Sequence, residues 1–313
     1  MRHHQGMRHR VPLPRLLGEQ FSVRDAEAIG IRPGRCSTPD LHRPFRGVRS
    51  LQQPATLHEL MSCYLPRLKH GQRFGGTTAA RAWGLPLPTA WHRSEPLDIV
   101  VPTSGAIPHT PGVSGHRMRA DRAQTMTLNG HPVVDPVAAL FMCAAGLTTA
   151  QAVVTIDALL TTASNYPDLG PGRPLSTIEE ITQRLDQWWR FPGSGTIRAA
   201  VPLARSLVES PKETETRLIL LSSGVPEPVV QYEVSVGGRF LGRVDLAYPH
   251  WKIAIEHEGD GHRIDRDQWR IDIQRQRYLE SEGWIVIRLT QADLVAKDLL
   301  LASIHRAIVR RQQ

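Results

Sequence analysis

The chain of 313 residues is long enough for two or three domains, and its 41% apolar and 22% charged residues are an ordinary globular composition. Its formal charge of +8 is uneven: residues 206–313 hold 15 Lys and Arg against 16 Asp and Glu, so the positive excess lies upstream. No apolar run approaches the roughly eighteen residues of a membrane span, and Met1–Arg10 lacks the apolar core of a secretory signal, so a cytoplasmic protein with no membrane partner is expected. Cys36, Cys63 and Cys143 are odd in number, widely spaced and match no metal pattern, which suits small buried residues in a reducing compartment.

In chain order, Phe21–Ile31 reads first as a helix, with Ser22 as N-cap, Val23, Ala26 and Ile29 at helical spacing and Gly30 as the stop. A second short helix over 32–43 and a strand over 45–50 are predicted after it. Helix, turn, helix and strand, with Arg32, Arg35, Arg43, Arg46 and Arg49, form the pattern of a small winged helix that sets cations against a nucleic-acid backbone. A plain helical hairpin with solvated arginines fits the same residues. Either way, a polyanionic partner would be gripped mainly by this N-terminal part.

Further helices are predicted over 56–68, 77–83, 133–145, 150–160, 177–190 and 196–208, with strands over 97–101 and 115–118 and a turn-rich loop over 164–176. Phe21–Ile31, Pro44–Val48, Ala79–Pro86 and Pro132–Pro136, in that order, resemble the N-terminal half of AbiEi-type antitoxins. The resemblance implies a DNA-binding, winged-helix-like N-terminus. Three regions are therefore expected: a mainly helical 1–95, an α/β middle with a helical linker over 96–205, and a C-terminal domain over 206–313.

In the last region Val229–Val236 alternates as a strand, Gly237-Gly238 is a hairpin signal, and strands follow over 239–248 and 252–258. A two-residue turn at 249–250 would pair Tyr248 with Trp251 and set Asp245 opposite Ala254. Alternation then gives Val244, Leu246, Tyr248, Ile253 and Ile255 one apolar face, and Arg243, Asp245, Lys252, Glu256 and Glu258 the other. Three carboxylates so placed repel by about 1–4 kcal/mol per pair at roughly 4 Å, a conflict that Mg²⁺ or Mn²⁺ on Asp245, Glu256 and Glu258 would relieve. Strand acids also commonly face solvent beside a cation, and Arg243 and Lys252 are at hand for that.

The ordered series Ser210–Glu213, Gly242–Pro249, Ile255–His262, Asp272, Arg275, Leu279 and Gly283–Arg288 resembles the endonuclease-like domains related to very-short-patch repair nucleases, within the PD-(D/E)XK superfamily. The resemblance implies a restriction-endonuclease-like domain with a mixed central sheet flanked by helices, hence an α/β (α+β) multi-domain chain. It also implies Asp245 and Glu256 as metal ligands, with Glu258 where the wider superfamily has a lysine. His262, or alternatively Lys252, would then move the proton of the attacking water. Glu213 falls on the opening helix. Asp272 and Arg275 orient the site or touch phosphate, though a structural ion pair fits them equally.

The function so implied is metal-dependent hydrolysis of DNA, by a chain that could act as a homodimer. The alternative is a non-catalytic, antitoxin-like DNA-binding regulator with a toxin partner. Neither a phosphate-binding GxxxxGK[ST] loop nor a GxSxG elbow is present.

Overall fold

The computed structural model describes residues 12–163, 166, 172–258 and 266–313, the side chains of 266–269 excepted. It divides into two compact units, Met1–Ala82 with Thr89–Met142, and Trp83–Pro88 with Cys143–Gln313. Both contain helices and sheets, so the chain is a mixed α/β protein with neither large sheet closed into a barrel. Among the described residues no helix is long and apolar enough to cross a membrane.

In the first unit, β1 (Gln20–Ser22) pairs antiparallel with β2 (Val48–Ser50). Between them runs α1 (Val23–Ala28), begun as expected by Ser22, whose hydroxyl accepts the Asp25 N–H at 3.0 Å. Phe21, Ala26, Cys36 and Leu41 form a small core over this pair. The second helix expected over 32–43 is absent: only a three-residue 3-10 turn, Arg35–Ser37, forms there. Pro33, Gly34 and Pro39 explain the difference, since prolines remove backbone donors and restrict the residues before them. The helix–turn–helix pattern expected at this end is therefore not made.

The same unit continues through α2 (Leu57–Tyr64), closed by a Thr56–Glu59 capping box, then β3 (Arg73–Phe74) and α3 (Gly76–Ala82). Next come β4 (Leu97–Pro102), β5 (Val113–Met118), β6 (Thr125–Leu128), β7 (His131–Val134) and the largely buried α4 (Pro136–Cys143). The five strands make a mixed sheet in the order β5-β4-β3-β7-β6. Because β3 pairs with both β4 and β7, the boundary expected at 95/96 would cut this sheet, although the described elements before residue 95 are mostly helical.

The second unit begins with α5 (Thr149–Leu160), α6 (Ile178–Trp188) and α7 (Ser194–Ala200). It goes on through α8 (Pro211–Ser222), β8 (Val229–Val236), β9 (Arg239–Tyr248), β10 (Ile253–His257), α9 (Arg266–Ser281), β11 (Ile285–Leu289), α10 (Gln291–Val295) and α11 (Lys297–Gln312). Ser210 does start a helix, but the unit already includes α5: Asp157 accepts hydrogen bonds from Thr214 and Arg217 of α8. The helices expected to close the middle region therefore belong with the C-terminal domain.

Four strands form a sheet in the order β11-β10-β9-β8, with β10 and β11 parallel and the other pairs antiparallel. Leu246, Tyr248, Ile253 and Ile255 pack with Leu220 of α8 and with Leu300 and Ile304 of α11. Ala247 and Ala254 join Val234, Val244, Leu279 of α9 and Trp284 in a second cluster. Burial of these apolar groups holds the helices onto the sheet, at about 25 cal/mol per Å² removed from water.

Candidate active site

The acidic residues meet where α8, β9 and β10 converge. Ser210 caps α8: its hydroxyl accepts the Glu213 N–H at 3.3 Å and donates to Glu213 Oε1 at 2.7 Å. Glu213 Oε2 also accepts from the Glu209 N–H at 3.0 Å and from Gln231 Nε2 at 2.9 Å. The side chain is buried, and burial, followed by the charge of Asp245, pushes its carboxyl up to about 7.

The β9–β10 register differs from the expectation by two residues. Pro249–Trp251 is a 3-10 turn, and Lys252 adopts a left-handed conformation with φ of 50°. Tyr248 therefore pairs with Ile253 rather than Trp251, and Ala247 with Ala254. A shift of two preserves the faces, and one further step along this register puts Asp245 opposite Glu256. Side chains directly opposite in a sheet have Cβ atoms about 4.5–5.5 Å apart. Asp245 Oδ2 accepts the His257 N–H at 2.8 Å. Burial raises both carboxyls; the His257 N–H offsets it at Asp245 and the Arg275 guanidinium at Glu256.

Arg275, on α9, places Nη2 3.1 Å from Glu256 Oε1 and 3.2 Å from Oε2. Only Oε2 takes a hydrogen bond, leaving Oε1 buried without one. The arginine stem lies where a side chain at Gly242 would stand: a Cβ there would meet its Cδ at 2.9 Å. Glycine at 242 is thus required by the close passage of Arg275. Asp272 lies beside it, 4.0 Å away, so Arg275 links both acids.

The remaining expected residues are not brought together with this group. Glu258 lies just past the end of β10, exposed and paired with Arg288 at 3.4 Å. Lys252, expected on the acidic face, is carried off by the turn and donates through Nζ to the Glu282 carbonyl at 3.0 Å. Among the described residues no group of three or more His, Cys, Asp or Glu is placed to hold a metal ion, so the expected Asp245–Glu256–Glu258 triad is not formed. His262 lies outside the described residues.

Gln231 was not signalled by alternation or by composition, which treat it as an ordinary strand residue. His257 is a second omission. Its Nε2 lies 2.6 Å from Thr216 Oγ1 on α8, and burial, with Lys212 nearby, takes it down to about 4.

In the first unit the five predicted arginines divide. Arg35 is committed to Thr38 and Asp40, and Arg49 donates to the Cys36 and Val48 carbonyls, so both are structural. Arg43 reaches the Ser37 carbonyl at 2.9 Å yet stays exposed, as do Arg32 and Arg46.

No protein-family model matches the chain. Two uncharacterized proteins of Mycobacterium tuberculosis, MT2308 of strain CDC 1551 / Oshkosh and Rv2248 of strain ATCC 25618 / H37Rv, are each 24% identical to it over 255 residues, covering 81% of this chain and 87% of theirs. The crystal structure of RV2827C protein from the same organism is similar with a TM-score of 0.37 and 15% identity, over 70% of this chain and 84% of that one.

Proposed function

We propose that the C-terminal domain is a metal-dependent endodeoxyribonuclease and that exposed arginines of the first unit take part in holding DNA. The observation that carries this reading is the position of Asp245, one step beyond the last β9–β10 pair, where its charge raises the carboxyls of both Glu256 and Glu213. A mixed sheet packed against α8, α9 and α11 also accords with the restriction-endonuclease-like domain that the resemblance implies.

The donor set suits Mg²⁺ or Mn²⁺. Asp245 and Glu256 are largely buried and near each other, burial raises both carboxyls, and one Glu256 oxygen has no hydrogen bond. Mg²⁺ keeps much of its water and commonly binds through one or two carboxylates plus phosphate, so the loss of Glu258 from the set is no obstacle. When bound, such an ion supplies a Lewis acid for the phosphate and an activated water.

Asp245 and Glu256 would hold the ion, with the His257 N–H fixing one Asp245 oxygen. Glu213 adds negative charge behind Asp245. Arg275, passing Gly242, offsets part of the burial that raises the Glu256 carboxyl and would offer its guanidinium to a phosphate oxygen. Lys252, tied to Glu282, is removed from the proton-transfer role, which leaves His262 as its candidate.

A second reading, the non-catalytic antitoxin-like regulator, is favoured by one observation: Arg275 and Arg288 already pair with Glu256 and Glu258, so the fold can stand without an ion. Calorimetric titration with Mn²⁺ separates the two. The nuclease reading expects binding that disappears in Asp245→Ala; absence of binding by the wild-type chain would favour the regulator.

A further inference from the structure

Four non-glycine residues among those described have positive φ: Asn129, Trp189, Gln231 and Lys252. Asn129 lies between two strands, Trp189 ends α6, and Lys252 ends a turn; Gln231 alone lies inside a strand. Its φ is 50°, a region that residues with a Cβ enter at a cost and that a long side chain does not relieve by bonding locally, as Asn can. The pairs on either side, Val230 with Leu246 and Tyr232 with Val244, keep one register, which sets Gln231 opposite Asp245; a register shift follows at Val234/Ser235.

On the facing strand Val244 and Ala247, three residues apart, pack in one cluster. From Gln231 itself a hydrogen bond runs from Nε2 to Glu213 Oε2 at 2.9 Å. The other donors to that carboxylate, the Glu209 N–H and the Ser210 hydroxyl, come from its own segment. Gln231 is the donor that ties Glu213 to the sheet, at the strand position facing Asp245.

Backbone strain of this kind persists where surrounding contacts over-determine it, and such places cluster at functional sites. We propose that Gln231 is a positioning residue of the acidic site: its strained strand conformation aims the carboxamide at Glu213 and holds that carboxylate beside Asp245. The proposal rests on the reading of Asp245 and Glu256 as ion-binding residues. Without the carboxamide, like-charge repulsion turns Glu213 away from Asp245, and the negative field that draws a divalent cation weakens.

The test is a double-mutant cycle on the full chain, read by calorimetric titration with Mn²⁺ alone and by thermal melting. Gln231→Gly removes both the strain and the donor; Gln231→Asn tolerates the backbone but is one methylene shorter. Both variants leave the buried Glu213 oxygen without this donor, and Gln231→Gly, which also relieves the strain, is expected to melt no lower than Gln231→Asn. Both variants are expected to bind Mn²⁺ about tenfold more weakly, as happens when a residue that orients the metal-binding groups is lost. Combined with Glu213→Gln, Gln231→Gly is expected to add no further loss.

Wild-type Mn²⁺ affinity in both variants, or losses that multiply in the double variant, would overturn the positioning role while leaving the ion site standing. A wild-type chain that binds no Mn²⁺ would overturn the ion site and this role together. A melting temperature for Gln231→Gly well below that of Gln231→Asn would contradict the strain.

Discussion

Glu213 gains a proton on folding because its carboxyl is buried against Asp245. Its ordinary value of 4.5 rises to about 7, so the native state keeps a proton that the unfolded chain has already released in between. The stability from this group is full below the unfolded value and is lost as pH climbs through about 7. His257 runs the other way: lowered to about 4, it favours folding above 6.5 and loses that contribution as pH falls. The histidine is common to wild type and Glu213→Gln, so comparing the two isolates the acid. In metal-free protein, the melting temperature of Glu213→Gln should fall less than that of wild type between about pH 5 and pH 7.5. Parallel profiles would show that Glu213 is not perturbed in the native state. At this scale alternation grouped Asp245 with Glu256, and the resemblance to endonuclease-like domains added Glu213. It could not name Gln231, because a left-handed residue within a strand leaves no periodic trace.

Elements were legible where local chemistry is strong. Ser22, Thr56 and Thr148 each begin a helix through a side-chain cap, and Gly237-Gly238 joins β8 to β9. The β9–β10 turn was misjudged because Pro249 starts a 3-10 turn that consumes two residues more than a tight hairpin. That slip moved Lys252 away to Glu282, while Asp245 and Glu256 stay close enough for their charges to interact. The expected second helix failed on its prolines. Least legible was the long-range tie between α5 and α8. Arg217 is fully buried and bridges Asp157 at 3.2 Å and Glu227 at 2.8 Å, while donating to the Leu203 carbonyl. Burial still pushes Asp157 up to about 6, against the pull of this arginine. Removing one partner of such a pair strands the other charge, so Arg217→Met should destabilise the chain by about 3–5 kcal/mol in urea unfolding. A loss below about 1 kcal/mol would mean the network is open to water.

Across the whole molecule, charge and chemistry are segregated. The acidic site lies in the second unit, whereas the first fifty residues carry ten arginines against four acids. Arg32 and Arg46 are exposed, while Arg35 and Arg49 are engaged within the fold, so the pairs should respond differently to mutation. Arg32→Ala with Arg46→Ala is expected to weaken duplex DNA binding at an unchanged melting temperature and to flatten its salt dependence by about 0.9 in log–log slope per lost phosphate contact. Arg35→Ala and Arg49→Ala should instead lower the melting temperature. An unaltered salt slope in the Arg32/Arg46 variant would place the DNA contacts elsewhere.

The division into two units was only partly readable, because β3 contributes two residues and still joins strands on either side of the expected boundary. The central claim concerns Asp245 and Glu256, and cleavage tests it most directly. Wild-type protein and Glu256→Ala, purified in parallel, are incubated with plasmid, single-stranded and mismatched duplex DNA, with Mg²⁺, with Mn²⁺ and with EDTA. The account predicts divalent-dependent nicking of at least one substrate by the wild type, abolished by EDTA and reduced more than about a hundredfold in Glu256→Ala. Equal nicking by both proteins, or none by wild type on any substrate with either ion, would contradict it.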